Sequence, residues 1–343
     1  MKGRRIVLDH IAGAEAAALL IDGQLDDLLI DDDSAPRPGA IFRAICDRPL
    51  KGQGGMIVRL PGGETGWLRG ARGLSPGAAV LAQVTGVAEP GKAVPMTDRV
   101  LFKSRYAIVT PGKPGLNVSR RIRDDDARDT LQVLAREGME GSDMGLILRS
   151  AAEGAAEDDI AEDIAAMRAL AEAVTGDATG ETAEALTEGD GPHLLAWREW
   201  AAEDVVTEPG GFDRDGVLDA MAALATPAHR LDLGTMFVEA TRALVAVDVN
   251  TGGDGSPAAA LKANLAAVRL LPRALRLRGL GGQIAVDFAP MPKGQRRQVE
   301  TALRAAFRAD PVETNLVGWT AMGLYELQRK RERAPLARFF KGL

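Results

Sequence analysis

Cysteine occurs once in the 343 residues, at Cys46. A single thiol excludes an intrachain disulfide and any structural zinc site built from the cysteines of one chain. Aromatic residues make up only 4%, so any surface that stacks nucleobases is thinly furnished. No uninterrupted apolar run approaches the roughly 20 residues that cross a bilayer. The start, Met1-Lys2-Gly3-Arg4-Arg5, is basic, but Asp9, His10 and Glu15 interrupt the apolar stretch behind it. That pattern has no signal-peptide core. A cytoplasmic location with no membrane partner is the expectation. There is no internal repeat. Lysine is rare beside arginine while alanine and glycine abound, which points to a GC-rich genome and strips arginine content of meaning by itself.

The remainder is ordinary for a globular chain, with 46% hydrophobic and 26% charged residues. The length admits two or three domains. A net charge of −6 would argue against a polyanionic partner if it were evenly spread. It is not. Residues 36–105 hold eleven Lys/Arg against four Asp/Glu, and residues 291–343 hold eleven against five. Residues 151–190 hold twelve acids and one base, Arg168. Two basic segments and one acidic one fit a polyanion track on part of the surface.

Two short segments carry an aspartate near their ends: Ala243-Leu244-Val245-Ala246-Val247-Asp248-Val249-Asn250 and Gly282-Gln283-Ile284-Ala285-Val286-Asp287-Phe288. A helix-length stretch rich in Ala, Leu and Arg separates them. Apolar runs of this length read as strands covered on both faces, in a parallel sheet with crossover helices. A strand–helix–strand unit brings both carboxyl ends to one sheet edge. As neighbours, roughly 5 Å apart, Asp248 and Asp287 repel unless a proton or a cation lies between them. Hard oxygen donors select Mg²⁺ or Mn²⁺. Asn250, two residues past Asp248, points the same way and adds a neutral oxygen or a positioning hydrogen bond. The set reads as a magnesium phosphodiesterase centre. A plainer reading stands beside it, since strand-end aspartates also cap helices and fix turns. Gly279-Leu280-Gly281-Gly282 precedes its strand, so it reads as a helix C-cap and turn and not as a dinucleotide-binding loop.

Elsewhere the pattern predicts strands over 4–9 and 25–30 and a short helix over 13–20. Asp31 to Gly39 is a linker by its charge and prolines. Segments of β character come next at Ile41–Cys46, Gly55–Leu60, Thr65–Leu68 and Ala79–Val87, with Gly and Pro between them at intervals of about ten residues, as in a small barrel. Beyond Arg105, strands are predicted at 106–109 and 145–149, and helices at 124–136, 158–174, 197–202 and 217–224. Residues 176–191 read as a long loop, and Met322–Arg333 as a basic helix. A five-stranded barrel with a basic surface is the OB-fold pattern, which binds single strands by stacking bases while Lys/Arg track phosphates. Trp67 is the stacking candidate, with Ile57, Lys92 and Lys103 placed near it. A core role for Trp67 is the alternative.

These motifs resemble the catalytic region of the ribonuclease E/G family over nearly the whole chain, most weakly around 176–232. Ala246-Val247-Asp248-Val249-Asn250 is similar to the family's hydrophobic-D-hydrophobic-N strand. Asn264-Leu265-Ala266-Ala267, followed by Leu275-Arg276-Leu277-Arg278-Gly279-Leu280-Gly281-Gly282-Gln283-Ile284-Ala285-Val286-Asp287-Phe288, resembles its most specific signature. Gly323 to Arg331 looks like its closing helix. Ser119-Arg120-Arg121-Ile122 and Gly145 to Ala151 resemble the segments around its 5′-end sensor.

The resemblance implies a mixed α/β, multi-subdomain fold. An RNase H-like subdomain (1–35 with 193–233) carries an inserted S1-type OB-fold barrel (36–103) and a 5′-sensor region (104–192). A DNase I-like α/β catalytic subdomain (234–343) completes it. The resemblance further implies an endoribonuclease of RNA processing or decay that cuts single-stranded RNA with Mg²⁺, or Mn²⁺, held by Asp248 and Asp287, with Asn250 supporting the attack geometry. Trp67, Lys92 and Ile57 take the family's RNA-contacting barrel positions, Ile57 where an aromatic residue is common. Arg149 and Ser150 take the positions that hold a 5′-terminal monophosphate, a role that suits an Arg fork beside a hydroxyl. For Arg149, a salt bridge to the acidic segment 157–163 is the rival.

The sequence departs from the family in three places. It has no Cys-x-x-Cys zinc link or small dimerisation domain after the closing segment, so no zinc is expected and oligomerisation is left open. Trp319-Thr320-Ala321-Met322 lacks a common arginine, and the loop after Asn250 is short. These departures keep a second reading in view, a catalytically impaired RNA-binding relative. A third, a metal-dependent phosphatase on a similar sheet, leaves the barrel without a purpose.

Overall fold

The computed structural model describes residues 3–50, 52, 54–71 and 73–340. Two residues of the basic start and the last three of the chain lie outside the described residues. The chain divides into two compact units, Met1–Asp32 with Ala201–Leu343, and Asp33–Trp200.

In the unit Asp33–Trp200, five strands close into a barrel. Ile41–Leu50 pairs antiparallel with Gly55–Arg59 on one side and with Ala79–Val84 on the other. Thr65–Arg69 and Val94–Thr97, a parallel pair, complete the ring. Inward-pointing Phe42, Ala44, Cys46, Met56, Val58, Leu68, Val84 and Met96 fill it. Closure leaves few free strand edges, which is how an OB-like barrel protects itself. The segment 176–191, read as a loop, contains a strand, Glu184–Thr187, that pairs with the start of Ile41–Leu50. Its Glu and Thr content masked a short edge strand.

The same unit holds a second sheet, in the order Leu116–Val118, Gly145–Leu148, Ala107–Thr110, Phe102–Lys103, packed on helices Asp125–Gly138 and Glu157–Gly176. Asp124 caps the first helix by accepting the Ala127 N–H at 2.7 Å. Acids in its first turn complement the dipole. The helix predicted at 197–202 is Pro192–Glu199. Proline at its first position was the start signal.

The other unit begins with an antiparallel meander, Arg4–Ile11, Ala14–Ile21 and Gln24–Ile30, with Asp204–Val206 parallel to the first strand. Here a sequence expectation fails: the segment read as a helix over 13–20 is the strand Ala14–Ile21. Alanine favours helix in isolation, but Ala16 to Leu20 are all buried, covered on both faces. Two-residue turns fix both ends, Ala12-Gly13 and Asp22-Gly23, all four with positive φ. Asp-Gly between apolar runs is a strong hairpin signal, and it outranks propensity.

A six-stranded sheet makes up the rest of this unit's β structure, in the order Ala228–Leu231, Gly234–Ala240, Val245–Asn250, Gly282–Asp287, Tyr325–Arg329, Thr314–Trp319. Helix Pro257–Leu277 is the crossover between the two aspartate strands. Ser256 caps it through the Ala259 N–H at 3.2 Å, and Pro257 occupies its first position. With Lys293–Ala309 it covers one sheet face, burying Val245, Val247, Val249, Ile284 and Val286 among Ala263, Ala267, Leu271, Leu275, Val299 and Leu303. The opposite face, carrying Asp248, Asn250, Gln283, Asp287, Glu326 and Gln328, is exposed. The aspartate strands are therefore covered on one face only. Ala246 and Ala285 made alternating strands read as continuous apolar runs.

The predicted helix Met322–Arg333 is instead the strand Tyr325–Arg329, hairpinned to Thr314–Trp319. Tyr325, Leu327 and Arg329 point inward and Glu326 and Gln328 outward, a period of two. Arg329, 3% exposed, disguised that period by placing a charge on the buried face. After Leu277 the chain turns through Gly279 at φ +61°, and the Leu280 N–H reaches back to the Leu275 carbonyl at 2.9 Å. This is the helix stop read from Gly279-Leu280-Gly281-Gly282.

Candidate active site and nucleic-acid surfaces

Strands Val245–Asn250 and Gly282–Asp287 run parallel in a register that makes Asp248 the direct partner of Asp287. Both carboxylates lie on the open face, exposed. Side chains alternate, so with the valines committed to the core the aspartates and Asn250 have no other face to occupy. Asn250 donates from Nδ2 to Asp248 Oδ2 at 2.6 Å, which fixes that carboxylate beside its neighbour. In the short loop after Asn250, Asp254 accepts the Ser256 N–H at 2.8 Å and so serves the helix start. Among the described residues no cluster of three or more His, Cys, Asp or Glu forms a ready-made metal cage. Two adjacent carboxylates and an amide suit an ion that keeps most of its water, as Mg²⁺ does.

On the barrel, Trp67 and Ile57 are cross-strand partners, and Pro95 is partner to Trp67 on its other side. Neither Trp67 nor Ile57 belongs to the barrel core. Trp67 is half-buried on the outer surface and lies against Gly55, where a Cβ would come within 2.6 Å of its Nε1. Ile57 is buried beside it. Trp67 thus stands outside the barrel core cluster, although its Nε1 is buried. Lys92 sits in the turn before Val94–Thr97 and pairs with Glu89 at 2.8 Å. Lys103 belongs to the other sheet of this unit and pairs with Glu199. Sequence reading overlooked Arg59 and Arg69. Each lies two residues from Ile57 or Trp67, hence on the same outer face, exposed and without an ion pair among the described residues.

Arg149 comes directly after strand Gly145–Leu148, and Ser150 begins a single 3₁₀ turn. The Arg149 Nη1 donates to the carbonyls of Ser104 (2.5 Å), Arg105 (3.2 Å) and Arg198 (3.3 Å), and Nη2 to Glu199 at 2.6 Å. Its ionic partner is therefore Glu199 and not the acidic helix, whose Asp163 instead accepts the N–H groups of Tyr106 (2.8 Å) and Ala107 (3.2 Å). Burial alone would raise the Glu199 pKa, but Lys103, Arg149 and Arg198 hold it down to about 2. Lys103, Arg149 and Arg198 thus share one carboxylate, with Asp190 a second partner of Arg198, and such a cluster of cations suits a phosphate as well.

The profile of the Ribonuclease E/G family matches residues 102–208 and 202–332. The chain belongs to the ribonuclease E/G family. A ribonuclease E of Nostoc sp. (strain PCC 7120 / SAG 25.82 / UTEX 2576) is 30% identical over 301 residues, covering 76% of this chain and 44% of that protein. A ribonuclease G of Escherichia coli (strain K12) is 28% identical over 281 residues, 71% of this chain and 57% of the relative. A ribonuclease G of Salmonella typhimurium (strain SL1344) is 27% identical over the same length and shares. This member of the ribonuclease E/G family spans about half the length of the curated relatives it matches. No helix among its described residues is long and apolar enough to cross a membrane.

Proposed function

We propose that the chain is an Mg²⁺-dependent endoribonuclease that cuts single-stranded RNA, leaving a 5′-phosphate and a 3′-hydroxyl. The observation that carries this is the register pairing of Asp248 with Asp287 on an open sheet face, in a member of the ribonuclease E/G family. Asp248 and Asp287 would hold the ion, Mg²⁺ or Mn²⁺. When bound, it supplies positive charge to the phosphate oxygens. Asn250 keeps the Asp248 carboxylate oriented, and its remaining amide oxygen is an acceptor for a water near the phosphate. The strand–helix–strand region is taken as the DNase I-like catalytic subdomain, the amino-terminal meander with 193–233 as RNase H-like, and 104–192 as the 5′-sensor region.

RNA would lie along Trp67, Ile57 and Lys92, with Arg59 and Arg69 tracking phosphates. Trp67→Ala is expected to weaken single-stranded RNA binding by about 1–3 kcal/mol, the usual worth of one stacked base, measured by fluorescence anisotropy at fixed salt. Unchanged affinity would remove the barrel from the binding surface. Arg149 and Ser150 would select a 5′-monophosphate, the phosphate replacing Glu199 as partner of Nη2. Arg149→Gln is then expected to erase a preference for 5′-monophosphorylated over 5′-hydroxyl RNA while cleavage of the latter persists. A preference that survives the substitution assigns it elsewhere.

The deciding experiment is incubation of a short labelled 5′-monophosphorylated RNA with the chain and Mg²⁺, with analysis of the product ends. Tight, salt-sensitive RNA binding with no turnover would instead support the impaired-relative reading.

A further inference from the structure

Cross-strand partners on the open face form a row: Ala228, Phe237, Asp248, Asp287. Phe237 is thus the neighbour of Asp248 on the side away from Asp287, roughly 5 Å across the sheet. It is half-buried and stands outside the hydrophobic cluster that takes both of its chain neighbours, Met236 and Val238. Around it the face is polar or acidic, with Glu239, Asp248 and Asn250 exposed. The phenyl ring lies outside that cluster and keeps part of its apolar surface in contact with water. One row further along, Arg230, Thr235 and Asn250 are successive partners. Arg230 is exposed and makes no ion pair among the described residues.

We propose that Phe237 is the stacking platform for the nucleobase adjoining the scissile phosphate, with Arg230 contacting a neighbouring phosphate. This rests on the endoribonuclease reading. An aromatic face binds any base without regard to sequence, and it does so where acidic neighbours would repel the backbone. Base and phosphate of one nucleotide are separated by a sugar, on the order of one to two strand spacings. A base seated on Phe237 therefore brings its phosphate over the carboxylate pair. Arg230 lies two residues along the ribbon from the Phe237 row, roughly 7 Å, a span suited to the next phosphate. Phe237 acts as a positioning residue; the chemistry stays with the carboxylates.

The test uses the full chain, Mg²⁺ and a labelled 5′-monophosphorylated RNA, intact or with one abasic sugar at each position flanking the cut. For wild type, one abasic position is expected to lower kcat/KM by roughly 5- to 150-fold, the range of one lost stack. Phe237→Leu should raise KM on intact RNA by a similar factor with kcat nearly unchanged. That variant should lose nothing more on the abasic RNA, and Phe237→Tyr should restore wild-type behaviour. Arg230→Gln should flatten the slope of log KM against log salt by about 0.7. Equal kinetics for Phe237→Leu and wild type, or an abasic penalty that persists in Phe237→Leu, overturns the proposal alone. Should Phe237→Leu not fold, the wild-type abasic series decides, and no position-specific loss overturns it. A wild type that cuts no RNA defeats the endoribonuclease reading itself, and the assignment of Phe237 with it.

Discussion

Asp248→Asn or Asp287→Asn is expected to lower RNA cleavage at least a thousandfold while leaving the melting temperature nearly unchanged. The two outcomes separate because both carboxylates are exposed and serve no core contact. Asp248 accepts one hydrogen bond from Asn250, and an amide oxygen at the same place accepts it as well. Fold stability therefore has little to lose. On the proposed reading, the site loses a negative charge from the pair that would hold a divalent cation against the phosphate. Such charge stabilisation is worth several kcal/mol, and about 4 kcal/mol is a thousandfold in rate.

The loss should appear in kcat at saturating Mg²⁺, with RNA affinity nearly unchanged. The double variant should be scarcely worse than either single one, since the two residues act as a unit. Undiminished cutting by both single variants would remove the pair from the chemistry and return the aspartates to a capping or turn role.

That pair was legible because spacing and side-chain period make the same demand. Once Val245, Val247 and Val249 are committed to the core, Asp248 and Asn250 must face out together. What sequence could not convey was the other side of the sheet. Alanine fits a covered strand and an open one alike, so Ala246 and Ala285 gave no sign that the face was bare, and Phe237 read as one more apolar strand residue. Tyr325–Arg329 was misread because a buried arginine breaks the apolar alternation that identifies a strand, and its acidic partner Asp310 lies 19 positions away. Distance in sequence also hid Glu199, 50 residues from Arg149. The hairpin at 14–21 is a different case: the Asp22-Gly23 turn signal and the helix propensity of the alanines point opposite ways, and burial of Ala16 to Leu20 on both faces goes with the strand. Local chemistry is readable where neighbours in the chain satisfy it. It is lost where a buried charge waits for a remote partner.

Asp27 is the clearest such case, and Asp27→Asn is expected to cost about 3–5 kcal/mol, the usual result of leaving buried cations uncompensated. The residue is 2% exposed. Its carboxylate accepts Arg333 through both oxygens, one at 3.0 Å from Nη2, takes the Leu28 N–H at 2.8 Å, and lies 3.4 Å from Arg276 Nε. Arg276 continues to Asp310, and Asp310 to Arg329 at 2.8 Å. The amino-terminal meander is thereby tied to the helix and hairpin of the six-stranded sheet. Burial opposes the charge on Asp27, yet Arg333 and Arg276 outweigh it and hold the carboxyl below its ordinary value. A folded-state value below the unfolded one contributes stability that is complete above the ordinary carboxylate range, near pH 4, and is lost as pH falls through the depressed value. Wild type should therefore lose stability below about pH 4, and Asp27→Asn, already lacking that contribution at pH 7, should show a shallower acid slope. Denaturant midpoints at pH 7, 5 and 3 measure both. Adding Arg333→Met to Asp27→Asn should recover part of the loss, because one stranded charge leaves with its partner while Arg276 keeps Asp26 and Asp310. Equal midpoints for wild type and Asp27→Asn at pH 7 would show that water already reaches the pair, and that packing between the meander and the helix holds the unit together without it.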